Sequence, residues 1–166
     1  MGALFFRGAT AQIAHYAALD TGGSLSVSLM VQLNANQKGR GNVLVRLDDS
    51  WGLEWWGESR LNFFLRGPKA PLFRAVQAEI CSCPACYMGW VRVSMSYNAS
   101  APFASSISMF AAGKRLTQQA SPASPGTMTG KIANSSSSLW VNNLDGMALA
   151  DLIIYGSALP ASELAR

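Results

Sequence analysis

The chain has 166 residues, 49% hydrophobic and 13% charged, with 13 Lys or Arg against 9 Asp or Glu and a net charge of +4. Disorder is excluded, because disordered chains are rich in charge and poor in apolar side chains, and the length suits one domain with its own core. No run of about eighteen apolar residues marks a membrane span. The cations are scattered singly or in pairs such as Lys114-Arg115 rather than gathered into the basic face that nucleic acid binding needs.

The start, "MGALFFRGAT", carries Arg7 inside a short apolar stretch, which does not fit a secretion signal. Phe6 stands where the Gly2 myristoylation pattern has Ser or Thr. Alternation then sets in, the mark of half-buried strands. "SLSVSLMVQL" puts Leu25, Val27, Leu29 and Val31 on one face, and "NVLVRL" puts Val43, Val45 and Leu47 on one side. In "WGLEWWGESR", extended backbone places Trp51, Leu53, Trp55 and Gly57 on one face and Glu54, Trp56 and Glu58 on the other. "RLNFFLRG" places Leu61, Phe63 and Leu65 together. "WVRVSMSY" alternates Trp90, Arg92, Ser94 and Ser96 with Val91, Val93, Met95 and Tyr97. "SISMFAAGKRL", "SLWVNNL" and "LADLIIYG" supply further short strands, and "PASEL" at the end is the one accepted helix, with Pro160 suited to a first helical position. Turn-rich breaks separate these elements, among them "NANQKGRGN", "GPKAP" and "NASAPFAS". The Ser-, Ala- and Pro-rich stretch 117–138 reads as a surface loop. Many short strands with no long helical pattern predict an all-β sandwich.

Paired carboxylates beside aromatic faces suit a sugar-cleaving cleft, so "WGLEWWGESR" raises that chemistry. Four residues of strand separate the Cα atoms of Glu54 and Glu58 by roughly 13 Å. Retaining glycosidases need carboxyl groups about 5 Å apart and inverting ones about 6.5 to 9.5 Å. A bulge at Gly57 would shorten the gap. Without it, Leu53 and Trp55 fill the core and the two glutamates sit on a solvated hairpin. Trp56 then stacks on a sugar ring, packs within the chain or joins a protein interface.

Cys81, Cys83 and Cys86 form "CSCPAC". A zinc site wants four ligands and His15, the only histidine, is far off in sequence. The stretch therefore reads as a local disulfide of Cys81 or Cys83 with Cys86, leaving a thiol able to pair with another chain. Asn98 and Asn134 open the triplets "NAS" and "NSS" and are candidate N-glycosylation sites in loops. His15 has no nucleophile motif beside it and is expected to be a polar residue between strands.

Taken together the segments resemble a laminin-G-like domain of the concanavalin A-like lectin and glucanase superfamily. "ALFFRGATAQIAHYAALDTGGSLSVSLMVQL" resembles its first strands, "GRGNVLVRLDDSWGLEWWGESRLNFFL" its run of hairpins, and "GWVRVSMSYNAS" with "ISMFAAGKRL" the strand pair around "lyvdGk". "LWVNNLDGMALADLIIYGSALPASELA" resembles the closing signature and is the most specific part. The resemblance implies a two-sheet antiparallel jelly-roll sandwich covering residues 1–166, part of a longer extracellular protein. It implies a module that binds glycans, proteins or both, while some relatives are glycosidases. The superfamily's glucanases carry an "E-x-D-x-x-E"-like strand, and Trp56 stands where its Asp would be, so no catalytic residue is expected. Asp145 and Asp151 fall where relatives hold loops and sometimes calcium. Arg7 and "ATAQI" depart from the acidic residues some relatives use, so no cofactor is expected and an ion pair of these aspartates with Arg7 is the alternative. Pro160 replaces a capping Ser, and the segment 68–89 is longer than the usual connection.

The expected function is non-catalytic carbohydrate recognition outside the cell, with Glu54, Trp56, Lys38, Arg40, Lys114 and Arg115 as ligand-binding residues. The basic residues would serve an acidic polymer. The alternatives are a structural domain of an extracellular protein assembly, joined through the odd cysteine, and a glycoside hydrolase.

Overall fold

A computed structural model describes residues 4–5, 10–15, 17–20, 23–32, 39–57, 59–68, 73–80, 89–120, 128–141 and 148–166. Among these residues the chain forms two sheets in which every pairing is antiparallel. One has the spatial order β1 (Leu4–Phe5), β13 (Ala148–Tyr155), β3 (Leu25–Gln32), β8 (Trp90–Tyr97), β9 (Ile107–Ala111), β10 (Lys114–Arg115). The other runs β11 (Gln118–Ala120), β7 (Phe73–Glu79), β6 (Arg60–Arg66), β5 (Trp51–Gly57), β4 (Gly39–Leu47), β12 (Leu139–Val141), β2 (Ala11–Ile13). No described helix is long and apolar enough to cross a membrane.

The alternating residues do what their spacing predicts. Leu25, Val27, Leu29 and Val31 of β3 and Val93, Met95 and Tyr97 of β8 share one buried cluster with Trp51, Leu53 and Trp55 of β5 and Leu61, Phe63 and Leu65 of β6. The two sheets thus close over a common core of interdigitated side chains. In β4 a bulge changes the alternation: Val45 opposes Leu53 and Val43 opposes Glu54, so Leu44 is an extra residue. Leu44 and Val45 both enter the core, and Val43 turns to the outer face of its sheet.

Two readings of the sequence are corrected. The stretch 68–89 contains a strand, β7, bonded on both sides to β6 and β11, with Val76 and Ala78 in the core. The stretch 117–138 is not simply a surface loop. It begins with β11, and further on Met128 and Ile132 are buried in the core and Ser135 is buried. The second half is tied down by its backbone: Ala133 N–H donates to the Arg66 carbonyl at 2.7 Å and Ser50 Oγ to the Ala133 carbonyl at 2.6 Å. Ser135 Oγ donates to the Asp48 carbonyl, and Ser135 N–H donates to Asp20 Oδ1 at 3.1 Å.

The serines of β3 and β8 point away from the core, yet Ser26, Ser94 and Ser96 are buried. The C-terminal tail accounts for Ser26. Ser26 Oγ accepts the Leu159 N–H at 2.9 Å and donates to the Ser157 carbonyl at 2.8 Å. The tail ends in α1 (Ala161–Leu164), whose N-cap is Pro160 with extended backbone and no side-chain cap. Leu164 is buried. The tail reaches the turn between β9 and β10, where Ala112 and Gly113 both have positive φ, as a two-residue hairpin requires. A Cβ on Gly113 would stand 3.0 Å from the Ala165 carbonyl oxygen.

Candidate functional site

Antiparallel partners on one face of a sheet are neighbours, so register dictates which side chains meet. On the outer face of the seven-stranded sheet, Glu54, Asn62, Gln77 and Gln119 lie directly opposite one another across β5, β6, β7 and β11. The adjacent row is Trp56, Arg60 and Glu79. Glu54 is only 9% exposed, which corrects the expectation of a solvated glutamate. Its Oε2 accepts the Trp56 indole N–H at 2.8 Å and the Asn62 amide at 3.1 Å. A buried carboxylate is tolerated where N–H donors replace water in this way. Asn62 Oδ1 is buried and has no hydrogen-bond partner among the described residues. Trp56, half-buried, is thus engaged with its own strand neighbour through its polar edge.

Both rows lead toward an open groove of about 770 Å³ at one end of the sandwich. Arg60 and Glu79 enter it from the seven-stranded sheet, Trp90 from the start of β8, and Lys114 and Arg115 from β10, with Gln119 at its margin. Trp90 is 38% exposed, one of the few large apolar side chains in contact with solvent. Among the described residues, three cations against one carboxylate give the groove a positive field. An aromatic face beside amide and guanidinium donors can stack an apolar ring surface while bonding its polar rim.

Of the residues expected to bind ligand, Glu54 and Trp56 meet through a hydrogen bond, and Lys114 and Arg115 line the groove. Trp56 and the groove are linked by Arg60, which lies opposite Trp56 in register. Lys38, Arg7, Glu58, Asp145 and the three cysteines Cys81, Cys83 and Cys86 lie outside the described residues, as does the side chain of Arg40. Asp151 has Arg92 as an ion-pair partner, at 3.5 Å. Asn98 and Asn134 are exposed, and Asn98 Oδ1 accepts the Ser100 N–H at 2.9 Å. His15 lies 3.3 Å from Asp20 Oδ1. Among the described residues no three His, Cys, Asp or Glu gather as metal ligands.

Trp90, Arg60, Asn62, Gln77 and Gln119 were not singled out from the sequence. For Trp90 a signal was there: alternation set it with Arg92, Ser94 and Ser96, and a tryptophan on a polar face is a candidate contact residue. The glutamines carry none, since neither β7 nor β11 shows the alternation that marks a strand.

Toward the other ends of β7 and β8 from Glu79 and Trp90, Arg74 and Tyr97 are polar groups set into the interior. Tyr97 donates to the Gly130 carbonyl at 2.6 Å. Burial raises its pKa above the usual 10.0, and the Arg74 charge partly opposes the shift. Burial lowers the Arg74 pKa, partly offset by Tyr97.

No protein-family model matches the chain, and no curated protein matches it in sequence. Solved structures do share its fold. The binding domain of Paraclostridial Mosquitocidal Protein 1 aligns over 94% of the chain with a TM-score of 0.65 and 12% identity. The binding domain of botulinum neurotoxin DC, in complex with rat synaptotagmin II, aligns over 90% with a TM-score of 0.61 and 14% identity. The same domain in complex with SialylT aligns over 90% with a TM-score of 0.60 and 16% identity. The chain spans 39%, 36% and 35% of those three structures.

Proposed function

We propose that this chain is a non-catalytic recognition module that binds an acidic glycan in the groove between Arg60, Trp90, Lys114 and Arg115. The observation that carries the reading is the exposed Trp90 beside three cations and the amide of Gln119. In this reading Trp90 stacks on a sugar ring, Lys114 and Arg115 hold its acidic group, and the glutamine amide bonds hydroxyls. Glu54 and Trp56 belong to the same surface: their hydrogen bond fixes the row that hands on to Arg60. Lys38 and Arg40 are assigned to the acidic ligand by charge alone.

The sandwich is a laminin-G-like jelly roll of the concanavalin A-like kind, the 166 residues form one domain of a longer protein, and that protein works outside the cell. Glycans on Asn98 and Asn134 fit that setting. Glu54 does not serve as a catalytic acid, since its carboxylate is taken up by Trp56 and Asn62. The binding domain seen with SialylT supports a sugar ligand, and the same domain seen with synaptotagmin II supports the second reading, a protein contact.

Binding to a panel of sialylated, sulfated and neutral glycans tests the proposal. The expected result is selective binding of acidic members, weakened about tenfold or more by Trp90→Ala and by the pair Lys114→Ala with Arg115→Ala. A tenfold loss corresponds to about 1.4 kcal/mol. Unchanged binding by folded variants at all three positions refutes the groove as the site.

A further inference from the structure

Arg74 is a second site that the groove does not use. It projects from β7 on the core-facing side, opposite Leu65, and is only 5% exposed. Its Nη1 donates to Ser106 Oγ at 2.6 Å and its Nη2 to the Phe103 carbonyl at 2.9 Å. The Phe103 ring lies 3.8 Å from its Cζ. These contacts join the seven-stranded sheet to the 3-10 turn Phe103–Ser105 that leads into β9.

Among the described residues no carboxylate lies within ion-pair distance of this guanidinium. A buried cation without a counter-charge is costly, and a hydroxyl, a carbonyl and a ring face compensate it only in part. Burial lowers its pKa, the sign expected for a cation short of negative partners. A guanidinium has five N–H donors, of which two are used among the described residues. Beside it lies a cavity of about 160 Å³, lined by Arg74, Phe103, Gln118, Gln119 and Ala120. That is several times the ~30 Å³ one water occupies in the liquid, so one small solute with some of its hydration fits. The Gln118 amide is already spent on the Ile107 carbonyl, at 3.0 Å, and holds one wall in place.

We propose that Arg74 and this cavity form a binding site for one small oxyanion group, a carboxylate or a sulfate. The guanidinium fork matches the two oxygens such groups present. The site shares Gln119 with the rim of the glycan groove but is built on a different cation, Arg74, and stands whether or not that groove binds sugar.

The test is the melting temperature of the full chain titrated with sodium sulfate against sodium chloride at equal ionic strength. Sulfate also stabilises proteins generally by exclusion from their surface, and that part rises without saturating. Specific binding adds a saturable rise of a few degrees, because a ligand that binds only the folded state stabilises by mass action. The saturable part is expected to vanish in Arg74→Gln and to persist in the pair Lys114→Ala with Arg115→Ala, which removes cations of the groove and so separates this site from it. Because Arg74→Gln removes contacts between the sheets and can fail to fold, Ala120→Glu is the second variant. It places a tethered carboxylate at the cavity wall, on an exposed edge residue, and is expected to abolish the saturable part. Acetate and glucuronate titrations show which source is preferred: saturation by either at lower concentration than sulfate assigns the site to carboxylates, and the reverse assigns it to sulfate. No saturable rise with any of the three, or one that survives in a folded Arg74→Gln or Ala120→Glu variant, overturns the proposal.

Discussion

Gly52→Ala tests the packing on the outer face of the seven-stranded sheet, because two opposing effects have calculable sizes there. Gly52 sits inside β5, where glycine costs about 0.5–1 kcal/mol relative to alanine through backbone entropy. Its φ lies outside the left-handed region, so alanine meets no backbone objection. On propensity alone the substitution stabilises. Space decides otherwise: a Cβ at this position would stand 2.4 Å and 2.6 Å from Cε1 and Cζ of Phe64 and 3.0 Å from Cγ of Arg46. Phe64 is the direct cross-strand partner of Gly52 and is 6% exposed, so its ring lies across the glycine and has little room to move. Overpacking costs about 1–3 kcal/mol; contacts of 2.4 Å and 2.6 Å put this case at about 2–3 kcal/mol, and less the roughly 1 kcal/mol gained by replacing glycine the net effect is a loss of about 1–2 kcal/mol. For a chain of this length that lowers the melting temperature by roughly 2–8 °C. Urea denaturation of wild type, Gly52→Ala, Phe64→Leu and the double variant closes a mutant cycle, in which Phe64→Leu is expected to recover most of the loss caused by Gly52→Ala. A Gly52→Ala protein as stable as wild type, or a loss that Phe64→Leu leaves untouched, refutes this account.

Two further outcomes follow from the interior polar groups and the tail. Tyr97 has its folded pKa raised by burial above the usual 10.0, so its share of stability is complete below about pH 10 and is lost as pH rises through the folded value. Tyr97→Phe should cost about 1 kcal/mol at pH 7, where it removes the bond to the Gly130 carbonyl, and the urea midpoints of the two proteins should converge above pH 10; a constant gap up to pH 11 contradicts this. Leu164→Ala empties the one buried position of the four-residue helix and should cost about 2 kcal/mol, at the low end for buried leucine because the chain end can readjust. Its effect on the amide exchange of Leu159, whose N–H bonds to Ser26, should exceed that on strands β5 and β6, and uniform exchange throughout contradicts a tail that closes over Ser26.

The two-layer β architecture is legible in the residue pattern alone. Its strands declare themselves where one face meets the core and the other does not, as in "SLSVSLMVQL" and "RLNFFLRG", because a period of two follows from strand geometry whatever the neighbours are. The same logic put Trp51, Leu53 and Trp55 inside and set Glu54 and Trp56 on the opposite face, and it limited the helix to the last residues. Other features depend on contacts between strands far apart in the chain. β7 was invisible because Arg74 occupies a core-facing position and Ala75 and Gln77 are buried on the other face, which erases the alternation. The burial of Glu54 is not legible in the sequence because, although Trp56 donates from the same strand, Asn62 is brought to it only by the pairing of β5 with β6. The groove draws Arg60, Trp90 and Lys114 from three strands of two sheets, and the Arg74 cavity joins β7 to the turn before β9. Such sites depend on which strands lie side by side, a long-range choice made by burial of the whole core, while local pattern fixes only which way each side chain faces.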